Sequence, residues 1–154
     1  TKLPSMVKET LKGFNIEISF LIHATEDEKK LFDIIKSSFN LHPENFTQNV
    51  FKGHYGNPIY KYTTIVKGNL AQQIMKTVLE RLDIIDKNIL IKSIEERVDE
   101  HKNLYLRIEK SSLFKKFFRL GTSNVIYLKL IPKNKKIESI KNFYENLMMG
   151  LENC

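Results

Sequence analysis

From Phe14 to Ile22 apolar and polar residues alternate, placing Phe14, Ile16, Ile18, Phe20 and Ile22 on one side, the period of a half-buried strand. Thr25-Glu26-Asp27-Glu28 then reads as a capping box, with Thr25 as cap and Glu28 reaching back. The helix it opens sets Leu31, Ile34, Ile35 and Phe39 on one face and ends before Pro43. Phe46–Gly53 and Ile59–Lys67 read as two strands joined by His54-Tyr55-Gly56-Asn57-Pro58. Gly56 and Asn57 suit the positive backbone angles of a tight turn, and Pro58 suits a strand entrance. Asn69 is expected to cap a helix running through Leu82, and Asp86 to cap another with Leu90, Ile94 and Val98 every four residues. Leu104, Leu106 and Ile108 alternate with Tyr105, Arg107 and Glu109 as a further strand. Leu113–Leu120, the turn 121–124 and Val125–Ile131 read as a hairpin. Ile137, Ile140, Tyr144, Leu147, Met148 and Leu151 form the stripe of a last helix, with Lys141 and Glu145 paired outside.

These elements predict one α+β domain: an antiparallel or mixed curved sheet of about six strands, backed by about four helices. The 154 residues suffice for one core without a disulfide or metal staple, and no Pro/Gly/Ser linker divides them. Residues 1–12 are expected to be a loose lead-in or a short helix. Apolar runs such as Phe20-Leu21-Ile22 are far too short for a membrane span. The start of the chain shows no secretory pattern, and the lone Cys154 forms no intramolecular disulfide or zinc cluster. A cytoplasmic setting is the default expectation.

Charge changes the picture more than composition does. Residues 1–100 hold 14 basic and 14 acidic side chains, whereas 101–154 hold 11 basic and 4 acidic. The whole net charge of +7 therefore sits in the last third, a segregated excess attractive to phosphate. A Lys-rich solvated surface is the plain alternative.

Catalytic patterns are missing. No glycine-rich phosphate loop occurs, and His23, His42, His54 and His101 stand in unrelated elements without metal-ligand spacing. His23, at the end of the first strand, is read as a histidine that fixes the turn, since no partner nucleophile is visible. The acidic pairs around Glu95-Glu96 and Asp99-Glu100 are read as a charged turn in preference to a divalent-ion site. No cofactor, metal, small-molecule substrate or membrane partner is expected.

Three stretches carry a resemblance. His23-Ala24-Thr25-Glu26-Asp27, Gly53-His54-Tyr55-Gly56-Asn57-Pro58-Ile59, and Glu96-Arg97-Val98-Asp99-Glu100 leading into Asn103–Arg107 resemble, in order and spacing, an archaeal RNA-binding family linked to the exosome as a predicted subunit. The resemblance covers roughly residues 14–131, with His23, Thr25, Gly56, Asn57 and Pro58 as its motif positions. It implies a fold similar to the large-subunit ribosomal protein that binds 5S RNA, RNA as partner, and an association with exosome subunits. After the Leu-Tyr-Leu-Arg strand the family tends towards Asp-Lys-Gln-Ala-Ala. Here Glu109-Lys110-Ser111-Ser112-Leu113 keeps the Lys and lacks the Gln, so no RNA contact is carried over from that Gln.

The expected function is non-catalytic RNA binding. The expected RNA surface combines Arg107, Lys110, Lys115, Lys116 and Arg119 with Lys133, Lys135 and Lys136, because lysines and arginines neutralise phosphates and release counterions. One of Phe114, Phe117 and Phe118 offers a face for stacking a base if it is exposed. The alternative is a protein-interaction module docking its basic face on an acidic partner. A small-molecule enzyme comes third, for want of a site.

Overall fold

A computed structural model describes residues 13–134 and 136–152; Lys135, Cys154 and the lead-in expected over 1–12 lie outside the described residues. Five strands form one open antiparallel sheet: β1 (Phe14–His23), β2 (Thr47–Lys52), β3 (Pro58–Val66), β4 (Leu104–Glu109) and β5 (Val125–Pro132), in the order β2-β3-β1-β5-β4. Among the described residues four helices accompany it: α1 (Glu28–Phe39), α2 (Gly68–Arg81), α3 (Ile84–Lys92) and α4 (Ile140–Glu152). The α+β architecture matches the expectation, with five strands among the described residues in place of about six, every pair of neighbours antiparallel.

The alternation in β1 is what orients the sheet. Phe14, Ile16, Ile18, Phe20 and Ile22 are all buried and point to the face covered by helices. Helix α2 packs on β1 and lies between α1 and α4, burying Ala71, Ile74, Met75, Val78 and Leu79. Helix α4 closes the other side with Tyr144, Leu147, Met148 and Leu151. At about 25 cal/mol per Å2 of apolar surface, these stripes supply the main drive for folding.

Several local expectations are corrected, each for an identifiable reason. The α1 cap is Asp27, which accepts from the Lys30 amide at 3.1 Å; Glu26 instead accepts from the His23 amide, and Glu28 accepts from the Tyr62 hydroxyl. Thr25 is an exposed turn residue. Helix α1 ends where Asn40 takes a left-handed φ of 55° and its amide bonds the Lys36 carbonyl. Helix α2 starts at Gly68, one residue before the expected cap Asn69, with Lys67 at the cap. Asp83, not Asp86, caps α3 by accepting from the Ile85 amide at 2.9 Å. Asp86 is buried and accepts from the Leu120 amide at 2.9 Å.

The expected strand Leu113–Leu120 does not form. Lys110–Phe114 is a short 3-10 turn, and only Phe118 and Leu120 make isolated bridges, to Leu82 and Ile108. The Ser112 hydroxyl ties the segment into a loop, donating to the Glu109 carbonyl at 2.7 Å and accepting from the Arg119 amide at 3.0 Å. The neighbours of β5 are β1 and β4. In the β2–β3 turn only Gly56 takes a positive φ, 82°. Asn57 instead offers its carbonyl to the Gly53 amide at 2.7 Å. That approach is tight enough that a Cβ on Gly53 would stand 2.8 Å from the same oxygen.

Candidate nucleic-acid interface

Opposite residues of an antiparallel pair share a face, so the face away from the helices can be read from the register. It carries Ser19 opposite Thr63 and Tyr127, Leu21 opposite Lys61, and Glu17 opposite Ile65 and Lys129. On β4, Tyr105 stands opposite Lys129 and Arg107 opposite Tyr127. Two tyrosines and two cations thus form a square in which each ring faces a charge. Lys129 Nζ lies 5.8 Å from the Tyr105 ring centre, and the Arg107 guanidinium 5.9 Å from that of Tyr127, both within cation–π range. Tyr105 is 36% and Tyr127 39% exposed. Beside the square a shallow depression of about 330 Å3 is lined by both tyrosines, Lys129, Lys61 and Glu17.

Tyr105 is anchored by a second network. Its hydroxyl donates to Asp99 at 2.7 Å, and the His101 and Asn103 amides and the Asn103 side chain donate to the same carboxylate. Burial pushes the Asp99 pKa up, but these hydrogen bonds outweigh it and hold the carboxyl at about 2. Its bond to Asp99, and then burial, raise the Tyr105 phenol to about 12. The ring is therefore held as a neutral, fixed platform.

The residues expected from sequence to form one surface are dispersed. Arg107 stands on the open face. Lys110 is 5% exposed, with its ammonium spent on the Leu21 carbonyl and on Glu26 at 3.0 Å, which leaves nothing free for a phosphate. Lys115, Lys116 and Arg119 are exposed in the loop beyond the His23 end of β1, where Arg119 Nε lies 3.7 Å from Asp86. Lys133 and Lys136 are exposed beyond the far end of β5, where the Lys133 amide bonds the Gly13 carbonyl. The ten residues of β1 separate the two clusters by about 30 Å at 3.3 Å per residue. Lys135 lies outside the described residues.

The three phenylalanines of the loop differ in exposure. Phe118 is fully buried under Arg81, while Phe114 and Phe117 are 45% and 49% exposed. Each exposed ring has a lysine over it, Lys30 and Lys116 respectively. The motif positions gather at one end of the sheet. His23 is exposed and pairs with Ile59 in register, so it lies beside the turn holding Gly56, Asn57 and Pro58, all exposed. Sequence reasoning missed Tyr105, Tyr127, Lys129 and Lys61 as candidates. The available signal was an aromatic or cationic residue on the polar side of an alternating strand.

A family model described as RNA binding matches residues 15–131. The chain belongs to this RNA-binding family. A protein of Methanocaldococcus jannaschii is 31% identical over 149 residues, covering 86% of this chain and 95% of the relative. A protein of Pyrococcus abyssi, named an RNA-binding protein, is 28% identical over 109 residues, covering 68% of this chain and 71% of its own length. Among solved structures, a DUF54 protein of Methanothermobacter thermautotrophicus is similar in fold, with a TM-score of 0.69 and 21% identity over 90% of this chain and 97% of that one. A DUF54 protein of Archaeglobus fulgidus has a TM-score of 0.67 and 26% identity over 86% of this chain and 97% of that one. All of the matched family segment lies within the sheet, α1–α3 and their connections, so the tyrosine–cation square is family territory while α4 falls outside it. Among the described residues no helix is long and apolar enough to cross a membrane.

Proposed function

We propose that this protein binds RNA across the face of its sheet that none of the described helices covers, with the square of Tyr105, Arg107, Tyr127 and Lys129 at the centre. The observation that carries the reading is that Tyr105 and Tyr127 each face a cation across a strand pair. Stacking of an unpaired base on an aromatic ring contributes about 1–3 kcal/mol whatever the base, and the neighbouring cations neutralise the phosphates. Tyr105 and Tyr127 are diagonal neighbours on adjacent strands, about 7–8 Å apart, on the order of one nucleotide step in an extended single strand. Lys61 widens the positive surface on the β3 side. The exposed lysines and Arg119 at the two ends of the sheet contribute long-range attraction, and Lys110 contributes to stability alone.

The family membership and the name carried by the Pyrococcus relative support this reading. An association with RNA-degrading exosome subunits, which the sequence resemblance implies, is part of the proposal; co-purification with purified exosome core, with and without ribonuclease, tests it separately. RNA binding itself is tested by filter binding of single-stranded and duplex RNA to the wild type and to a Tyr105→Ala, Tyr127→Ala variant. The proposal expects preference for single strands, and a loss of roughly tenfold or more on removing both rings. Undiminished affinity in the folded variant would remove the square from the site.

A further inference from the structure

A second depression, of about 410 Å3, opens at the β4 edge beside the square, lined by Arg97, Arg107, Glu96, Asp99, Tyr105 and Val98 among others. Its size falls within the roughly 300–1,000 Å3 range of small-molecule sites. Arg97 comes from the 3-10 turn Glu95–Arg97 and is half-buried. Its Nε donates to the Ser93 hydroxyl at 2.7 Å, which fixes the side chain and leaves the two terminal nitrogens as a fork. Neither Arg97 nor Arg107 forms an ion pair among the described residues. Burial, and then repulsion from Arg107, lower the Arg97 pKa below its ordinary value.

The carboxylates of the cleft differ in availability. Asp99 is already saturated by the Tyr105, Asn103 and His101 hydrogen bonds. Glu96 is exposed, and its carboxylate accepts no hydrogen bond among the described residues. Two guanidiniums balanced by two carboxylates give no net positive charge, which is a poor site for a phosphate. They offer instead a donor fork beside the Glu96 carboxylate, which attracts Arg97 electrostatically and keeps its lone pairs open among the described residues, with Val98 supplying an apolar wall.

Guanine is the base that matches. It presents two adjacent acceptors, O6 and N7, suited to an arginine fork, and adjacent donors, N1–H and N2–H2, suited to a carboxylate. Adenine places a donor beside N7, and the pyrimidines lack the N7 edge. We infer that this cleft takes one unpaired guanine of the bound strand, with an arginine fork on O6 and N7 and the Glu96 carboxylate on N1–H and N2–H2. The inference rests on the RNA-binding reading above and adds base selectivity to it. A base held here lies next to the Tyr105 platform, so the strand runs on across the open face.

The test is fluorescence anisotropy with a short uridine-rich oligoribonucleotide carrying one central guanosine, compared at fixed salt with the same strand carrying adenosine, cytidine or uridine. The guanosine strand binds tighter, by roughly 5- to 150-fold for one well-made bidentate contact. Replacing guanosine by 7-deazaguanosine removes the N7 acceptor and by inosine the N2 donors; each loses most of the preference. Glu96→Gln abolishes the difference between guanosine and inosine, and Arg97→Met, which keeps an unbranched side chain and loses the donors, abolishes that between guanosine and 7-deazaguanosine. Equal binding of all four strands overturns the guanine site while leaving RNA binding intact. A guanosine preference indifferent to both analogues also overturns it, because the base is then read elsewhere. Failure to bind any strand overturns the RNA-binding reading itself.

Discussion

The ammonium of Lys110 lies 3.0 Å from the Glu26 carboxylate, joining residues 84 positions apart in the chain. Lys110 follows β4 and Glu26 follows β1, and the same ammonium also bonds the Leu21 carbonyl. The pair therefore pins the 3-10 turn over Lys110–Phe114 against the entrance to α1. Its side chains are 6% and 25% exposed, so the lysine is the member that depends on its partner. Removing the Glu26 carboxylate leaves a buried, uncompensated charge. Glu26→Ala is expected to destabilise by about 3 kcal/mol, the low end for a broken buried pair, because water reaches part of the carboxylate. Urea unfolding measures it; a loss within about 0.5 kcal/mol, the range of ordinary surface substitutions, contradicts the assignment.

The dispersal of the basic residues gives a second prediction, read from the salt dependence of binding. Lys61→Glu with Lys129→Glu, both on the open face, is expected to flatten the slope of log K against log salt by about 1.4, at about 0.7 per phosphate of a single strand. Lys115→Glu with Lys116→Glu, and Lys133→Glu with Lys136→Glu, change one end of the sheet each and are expected to do less. Lys29→Glu with Lys30→Glu serves as the control on α1. Circular dichroism checks that each variant is folded. A larger effect from the Lys115/Lys116 pair than from the face pair moves the footprint to the His23 end.

Stability should depend on pH through Asp99. Its folded pKa of about 2 lies below the ordinary 3.8, so its contribution is complete above about pH 4–5 and declines as the pH falls towards 2. Tyr105, raised to about 12, contributes stability present below its ordinary pKa of about 10 and lost as the pH rises through 12. Asp99→Asn is expected to weaken both limbs of the stability profile relative to wild type, measured by urea midpoints from pH 2.5 upwards. Superimposable profiles for the two proteins speak against the network.

Tyr144 gives a measure of the buried hydrogen bond under α4. Its hydroxyl donates to the Lys102 carbonyl at 2.6 Å and the ring is fully buried. Tyr144→Phe keeps the packing and is expected to cost about 1 kcal/mol. Leu147→Ala on the same stripe, also fully buried, opens a cavity and is expected to cost about 2–5 kcal/mol. Thermal unfolding at one pH ranks them. The reverse order refutes the packing described for α4.

The sequence by itself determined what depends on neighbours along the chain. The alternation of Phe14–Ile22 dictated which face of β1 is buried, and the spacing of Leu31, Ile35 and Phe39 dictated the inner face of α1, because each pattern follows from the geometry of its own element. The alternation of Tyr105, Arg107 and Glu109 with Leu104, Leu106 and Ile108 likewise placed Arg107 on an outer face. Caps were legible only to within a few residues. Thr25 and Asp27 both suit the position, and the choice fell to Asp27 because Tyr62, from β3, occupies Glu28.

What the tertiary structure decided is everything that depends on register and strand order. Residues 113–120 carry the composition of a strand, yet the Ser112 hydroxyl and the bridges to Leu82 and Ile108 fold them as a loop. Lys110 reads as one more cation of a basic tract, and only the arrival of Glu26 and Leu21 shows it to be interior. The tyrosine–cation square exists because β5 pairs with β4 so that Tyr105 meets Lys129 and Arg107 meets Tyr127. A one-residue slip in that pairing would carry the side chains to opposite faces. Periodicity fixes a face within one element, whereas a site built from two strands needs their relative register, which is set by the burial of Leu106 against Leu128 and Leu104 against Leu130 in the common core.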